Sequence, residues 1–193
     1  DQLVLGAYHS MIVTSTGRVL AWGYNRYGQL GTTTNAGTES ANATPIDITD
    51  ALNLGDGETI DQLVLGAYHS MIVTSTGRVL AWGYNRYGQL GSTTNNGNSN
   101  ANATPVDITD ALNLGDGETI EQLVLGESYS MAVTSTGRVL AWGYNRYGQL
   151  GTTTNAGTES ANATPIDITD ALNLGDGETI ERIELGYYHS MIV

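Results

Sequence analysis

Residues 6–31 read GAYHSMIVTSTGRVLAWGYNRYGQLG, and the fold follows from how this stretch is patterned. His9 to Thr14 alternates, with Met11 and Val13 on one side and Ser10 and Ile12 on the other, which is the period of a β-strand. Thr16-Gly17 supplies a tight turn into Val19 to Tyr24, a β-branched and aromatic run that reads as the partner strand. Gly23 inside that run marks a bulge or a close approach of another backbone. In NRYGQLG, residues 25–31, the apolar surfaces of Tyr27 and Leu30 need a neighbour to cover them.

Working outward, the preceding strand is clearest in its second copy, Thr59 to Leu65. Its continuous Leu63-Val64-Leu65 run expects cover on both faces. Downstream, residues 32–44 are Thr, Ser, Asn, Ala and Gly with a single Glu39, and read as a solvated loop. Pro45 opens Ile46 to Thr49 as an outer edge strand, because proline cannot donate to a ladder. Asp50 to Leu54 reads as one helical turn, capped by Asp50 and stopped by Gly55.

The same 26 letters return unchanged at 66–91, and at 126–151 with only Glu127, Ser128, Tyr129 and Ala132 replacing Ala, Tyr, His and Ile. The 193 residues thus divide at a period of 60 into copies 1–60, 61–120 and 121–180, with a remainder, 181–193, that stops after two strands. Four short strands per repeat describe a propeller blade. The expected fold is all-β: three near-identical blades of four antiparallel strands plus the first two strands of a fourth, an incomplete propeller as a single chain. The chain opens on Asp1 rather than Met, which reads as a processed product or a fragment.

Composition removes several functions. The seven basic residues are all Arg and stand against 20 Asp and Glu, for a formal charge of −13. Such a surface repels nucleic acid and anionic membranes alike. No apolar stretch approaches the roughly 20 residues of a membrane span. The absence of Cys excludes disulfides and thiolate chemistry.

At this point the pattern G-x-x-H-S-x-x-x-T-x-x-G-x-V-x-x-W-G-x-N-x-Y-G-Q-L-G closely resembles the regulator of chromosome condensation repeat. The motif falls on Gly6, His9, Trp22, Gly23, Asn25, Tyr27, Gly28, Gln29 and Gly31, among others, and on their equivalents 60 and 120 residues on, save Tyr129 for His. The resemblance implies a β-propeller of four-stranded blades, commonly seven. The TPIDIT and LNLGDGETI segments resemble bacterial surface-protein versions of the repeat, which implies a secreted or cell-surface setting.

Candidate sites are few. His9, His69 and His189 each adjoin a Ser, but neighbours on a strand point to opposite faces and form no dyad, so they read as packed structural histidines rather than a metal ring or a base. Asp47, Asp50, Asp56 and Glu58 lack the dense spacing of a calcium loop and read as a solvated acidic rim. GYNRYGQLG has no phosphate-loop Lys and reads as a packing turn. Trp22, Tyr24 and Tyr27 read as inter-blade packing, with a sugar or peptide platform as the rival. Asn42, Asn102 and Asn162 fit the N-x-[ST] acceptor pattern in what reads as an exposed loop. No residue is assigned to catalysis, a cofactor or a metal.

The function expected is therefore non-enzymatic: a structural and interaction module, self-associating head to tail into a ring or filament. The alternative is a recognition or inhibitor propeller that binds another protein on one face. A guanine-nucleotide exchange factor ranks below both, since the acidic charge and the missing basic tail oppose it.

Overall fold

A computed structural model describes residues 1–193 throughout. Blade one comprises β1 (Gln2–Leu5), β2 (His9–Val13), β3 (Val19–Gly23) and β4 (Asn42–Asp47), antiparallel and hydrogen-bonded in that order. β5 (Ile60–Leu65), β6 (His69–Thr74), β7 (Val79–Gly83) and β8 (Asn102–Asp107) repeat the plan. So do β9 (Ile120–Leu125), β10 (Tyr129–Thr134), β11 (Val139–Gly143) and β12 (Asn162–Asp167). β13 (Ile183–Leu185) and β14 (Ser190–Ile192) form a two-stranded remainder.

The apolar cores lie between blades rather than within them. Met11, Val13, Val19, Ala21 and Leu30 of blade one meet Leu63, Leu65, Ile72, Leu80 and Trp82 of blade two, and the pattern recurs one blade on. A blade therefore has a forward and a backward apolar face, split by the two-residue period of its strands. The consequence is visible in β2 and β6, which share five residues: β2 alternates buried and half-buried positions, whereas β6 is buried throughout because it is covered on both sides. Leu3 and Leu5, on the uncovered side of blade one, are 68% and 69% exposed, while Leu63 and Leu65 are 5% and 7%. At the other end Met191 is 61% exposed.

Gly23 is at a register shift between β3 and β4, with φ +112°, and a Cβ there would meet the Tyr8 carbonyl oxygen at 2.7 Å. The glycine is needed for both the bulge and the close approach. Pro45 does sit on the outer edge strand, but that strand begins at Asn42, three residues earlier than its sequence implies. The helical turn is also displaced. It is a 3₁₀ turn over Thr49–Leu52; Asp50 makes no cap, and Asn53 at φ 47° ends it rather than Gly55. Asp47 takes the capping role instead: its Oδ1 accepts from the Thr49 N–H at 3.1 Å and from the Thr49 hydroxyl at 2.5 Å.

Candidate interaction surface

The motif residues converge on the seams between blades. Asn25, fully buried, donates through Nδ2 to the carbonyls of Thr32 and Thr34 at 2.8 Å and accepts from the Leu30 N–H at 2.9 Å, which folds NRYGQLG into a knuckle. Gln29 tightens it, its Oε1 accepting from the Tyr27 N–H at 3.0 Å. The knuckle presents the Gln29 carbonyl forward, where it accepts from Trp82 Nε1–H at 2.9 Å and from the Ser70 hydroxyl at 2.8 Å. Gly28 and Gly31 let the next blade come this close: a Cβ on Gly28 would lie 2.5 Å from the Ala103 nitrogen, and one on Gly31 would lie 3.2 Å from Trp82 Nε1. Gly6 does the same near the axis, where a Cβ would meet the Gly66 carbonyl at 2.6 Å. Trp142 repeats the Trp82 contact on Gln89, whereas Trp22, with no blade behind it, is half-buried.

The histidines take part in the same seams. His9 is 3% exposed and its Nε2 lies 2.8 Å from Ser70 Oγ, sixty-one residues away; His69 and Ser130 repeat this at 3.0 Å. The Ser70 hydroxyl proton is already given to the Gln29 carbonyl, so His9 must donate from Nε2 and leave Nδ1 bare. That proton order is the reverse of a nucleophilic serine, whose hydroxyl donates to the imidazole. Burial pushes His9 down to about 4, and burial plus the neighbouring His9 pushes His69 to about 3, so both are neutral at pH 7. The histidine's partner is thus on the next blade, not the serine beside it in the sequence. His189 is exposed, lacking a following blade. Tyr129 fills the histidine position of blade three and its hydroxyl reaches the Gly186 and His189 carbonyls at 3.0 and 2.5 Å. No three His, Cys, Asp or Glu side chains are grouped to hold a metal. No helix is long and apolar enough to cross a membrane.

Two placements correct the sequence reading. The acidic rim is not uniformly solvated: the Glu58 side chain is 3% exposed and binds Arg78 at 2.9 Å, the Gly55 N–H at 2.7 Å and the Thr76 hydroxyl at 2.5 Å. Hydrogen bonds from Thr74, Thr76 and Gly55 hold its carboxyl at about 2. Arg78 also grips Asp107 at 3.0 Å, so the guanidinium ties one blade's exit loop to the next blade's outer strand. Likewise Asn42, Asn102 and Asn162 do not stand in an exposed loop. They are 5–6% exposed, and each amide is spent: Asn42 Nδ2 donates to the Gly23 carbonyl and Oδ1 accepts from Asn35 Nδ2 at 3.0 Å. The fully irregular, exposed part of the loop ends at residue 41.

One face carries a continuous array of tyrosines. An outer row runs Tyr24, Tyr27, Tyr84, Tyr87, Tyr144, Tyr147, with ring centroids 4.3–6.3 Å apart. An inner row holds Tyr8 and Tyr68, stacked at 4.9 Å, and then Tyr188. Arg26, Arg86 and Arg146 lie 5.6–5.9 Å over Tyr27, Tyr87 and Tyr147. Tyr27 packs across the seam on Tyr68 and Tyr84, whereas the Tyr24 ring meets only Tyr8 and Tyr27 of its own blade; the inner-row Tyr8 lies in a turn, where no strand pattern marks it.

Family models described as the Regulator of chromosome condensation (RCC1) repeat match residues 16–73, 76–133 and 136–193, and, for a shorter unit, 1–29, 60–89 and 120–149. Among curated proteins, the Ultraviolet-B receptor UVR8 of Arabidopsis thaliana is 27% identical over 97% of this chain and 37% of its own length. The probable E3 ubiquitin-protein ligase HERC4 of Homo sapiens is 31% identical over 78% of this chain and 13% of its own. Among solved structures, Prp20p of Saccharomyces cerevisiae, described with its binding to Gsp1p and histones, superposes with TM-score 0.76 at 20% identity over all of this chain and 43% of its own. Human WBSCR16 gives 0.74 at 24% identity, over all of this chain and 44% of its own. The chain thus spans less than half the length of these relatives, and the structural likenesses speak to fold alone. With its seam residues matching the repeat model in three successive copies, this chain belongs to the regulator of chromosome condensation (RCC1) repeat family.

Proposed function

We propose that the chain is a non-catalytic interaction scaffold from a bacterial secreted or cell-surface repeat protein, whose blades are continued head to tail by a second copy. The observation that carries the self-association is the complementarity of the two flanks. Blade one offers Leu3, Leu5 and the half-buried Trp22, the counterparts of Leu63, Leu65 and Trp82, which insert against a preceding knuckle. Blade three offers such a knuckle, and its Gln149 carbonyl accepts only from the Ser190 hydroxyl, at 2.9 Å. The indole donor is the missing half.

Residues 181–193 duplicate the role of 1–13, and β14 has no strand on its outer edge. Joining two copies therefore involves exchange, with one pair of inner strands displacing the other. Covering one leucine contributes about 1.5–3 kcal/mol, so a flank of this kind has a strong drive to be covered. Size-exclusion chromatography with light scattering tests the reading. The expected masses are multiples of 20.4 kDa, and a stable, folded monomer at low micromolar concentration would overturn it.

A further inference from the structure

The inner row of tyrosines has one ring missing. In blades one and two the turn after the inner strand carries Ala7-Tyr8 and Ala67-Tyr68, and in the remainder it carries Tyr187-Tyr188. Tyr68 packs edge-on against Tyr27 at 5.4 Å, and Tyr188 lies 4.7 Å from Tyr147. The equivalent partner for Tyr87 would be residue 128, which is Ser. The preceding residue is Glu127, where the other full blades have Ala. The result is a notch of about 200 Å³, walled by tyrosines that include Tyr68, Tyr87, Tyr144 and Tyr188, with the half-buried Glu127 carboxylate as its only acid. Ser128 is 1% exposed, and the Glu127 carboxylate has the Ser128 and Tyr187 hydroxyls beside it.

We propose that this notch binds a single alkylammonium group, the side chain of a lysine from a partner protein. An ammonium has three donors and no acceptor, and the notch supplies phenol oxygens and a carboxylate to receive them. Tyrosine rings also attract cations electrostatically through their faces. The tyrosines of this face already do so, since three of them carry an arginine within 6 Å. Of the two arginines on rings that wall the notch, Arg26 is paired with Glu39. Arg86 is exposed to water, where its opposing charge is screened more than that of the half-buried Glu127. The net charge of −13 draws cations to the molecule. The chain contains no lysine, so the occupant comes from a different protein and not from a second copy.

The full chain, isotopically labelled, is titrated by NMR with n-butylammonium chloride at millimolar concentrations, with n-butanol as the uncharged control. Saturable shifts are expected at Glu127 and the surrounding tyrosines, and none with butanol. The double variant Glu127→Ala/Ser128→Tyr restores the pair that blades one and two fold with, and is expected to weaken binding at least tenfold; Glu127→Gln is expected to do the same without filling the notch. Three results would each overturn the proposal: no saturable shift, equal shifts at the Tyr8–Tyr24 end of the face, or undiminished binding by the folded double variant. The masses measured for self-association do not depend on this result, so the two readings fail separately.

Discussion

The buried histidines give the molecule a definite response to acid. Their folded pKa values, about 4 for His9 and about 3 for His69, lie below the ordinary value of 6.5. The unfolded chain therefore takes up protons first as pH falls. The stability the two residues contribute is fully present above about 6.5 and is lost as pH falls, down to about 4 for His9 and about 3 for His69, at about 1.4 kcal/mol per pH unit for each fully coupled site. His69→Tyr, which copies the residue blade three already uses, should flatten the loss. The check is the urea midpoint at pH 7 and pH 5: the wild-type gap should shrink by roughly half in the variant. Glu118 makes a second residue-scale case. Its side chain is 3% exposed, bound to Arg138 at 2.9 Å and to Thr134 and Thr136 at 2.5 Å, whereas Glu178 is exposed and bonds only the Gly175 N–H, at 2.6 Å. Glu118 lies near the molecular edge, so water screens part of the pairing. Glu118→Gln is expected to cost about 1 kcal/mol and Glu178→Gln nothing measurable, as read by chemical denaturation.

At the scale of the element, the strands were legible because alternation and turn residues are local. Thr16-Gly17 and Gly23 announce their roles within a few residues, as does Pro45. What was not legible is set by residues distant in the sequence, most of them on the next blade. The His9–Ser70 pair, the Trp82 indole on Gln29 and the shielding of Glu58 all join positions 18–61 residues apart, and no local window holds both partners. Asn42 misled for the same reason: its loop is polar, yet its amide is bound nineteen residues back, at Gly23. The Asp50 cap failed because Asp47, two residues before Thr49, reaches the first free N–H of the turn instead. A knuckle glycine set against a loop glycine tests how much of a blade is written by its neighbour. Gly88 and Gly97 have similar backbones, φ +82° and +78°, but a Cβ on Gly88 would lie 2.5 Å from Ala163 of the next blade, and one on Gly97 would meet nothing. Gly97→Ala should cost about 1–2 kcal/mol of left-handed strain. Gly88→Ala should cost that plus the separation of two backbones, at least about 3 kcal/mol in all. Equal costs in denaturant titrations would show that the blades are not held as tightly as the seam geometry requires.

For the molecule as a whole, the same comparison isolates the contact between copies. Gly148 is the third knuckle glycine, with φ +78°, and it faces the open flank of blade three: a Cβ there would meet nothing within 4 Å. At Gly28 and Gly88 the corresponding Cβ would run into the outer strand of the following blade at 2.5 Å. If a second copy supplies the following blade, its β4 must come just as close to Gly148. Gly148→Ala should then leave each chain folded, at a cost of about 1–2 kcal/mol, while blocking the docking of the outer strands. Gly157→Ala is the control, since that loop glycine also has a positive φ and open space around it; it lies outside the 145–151 turn, to which its N–H is tied through the Arg146 carbonyl at 2.9 Å. By light scattering, the wild type and Gly157→Ala should show the same assembled masses and Gly148→Ala should shift toward a single chain. Assembly of Gly148→Ala at the wild-type concentration would mean that the copies meet by some surface other than the blade flank. Leu3→Glu, which places a carboxylate where Leu63 is buried in the seam one blade on, should act from the opposite flank and give the same loss. Agreement of two substitutions at opposite ends of the arc is what a head-to-tail contact demands, because each copy contributes one end of it.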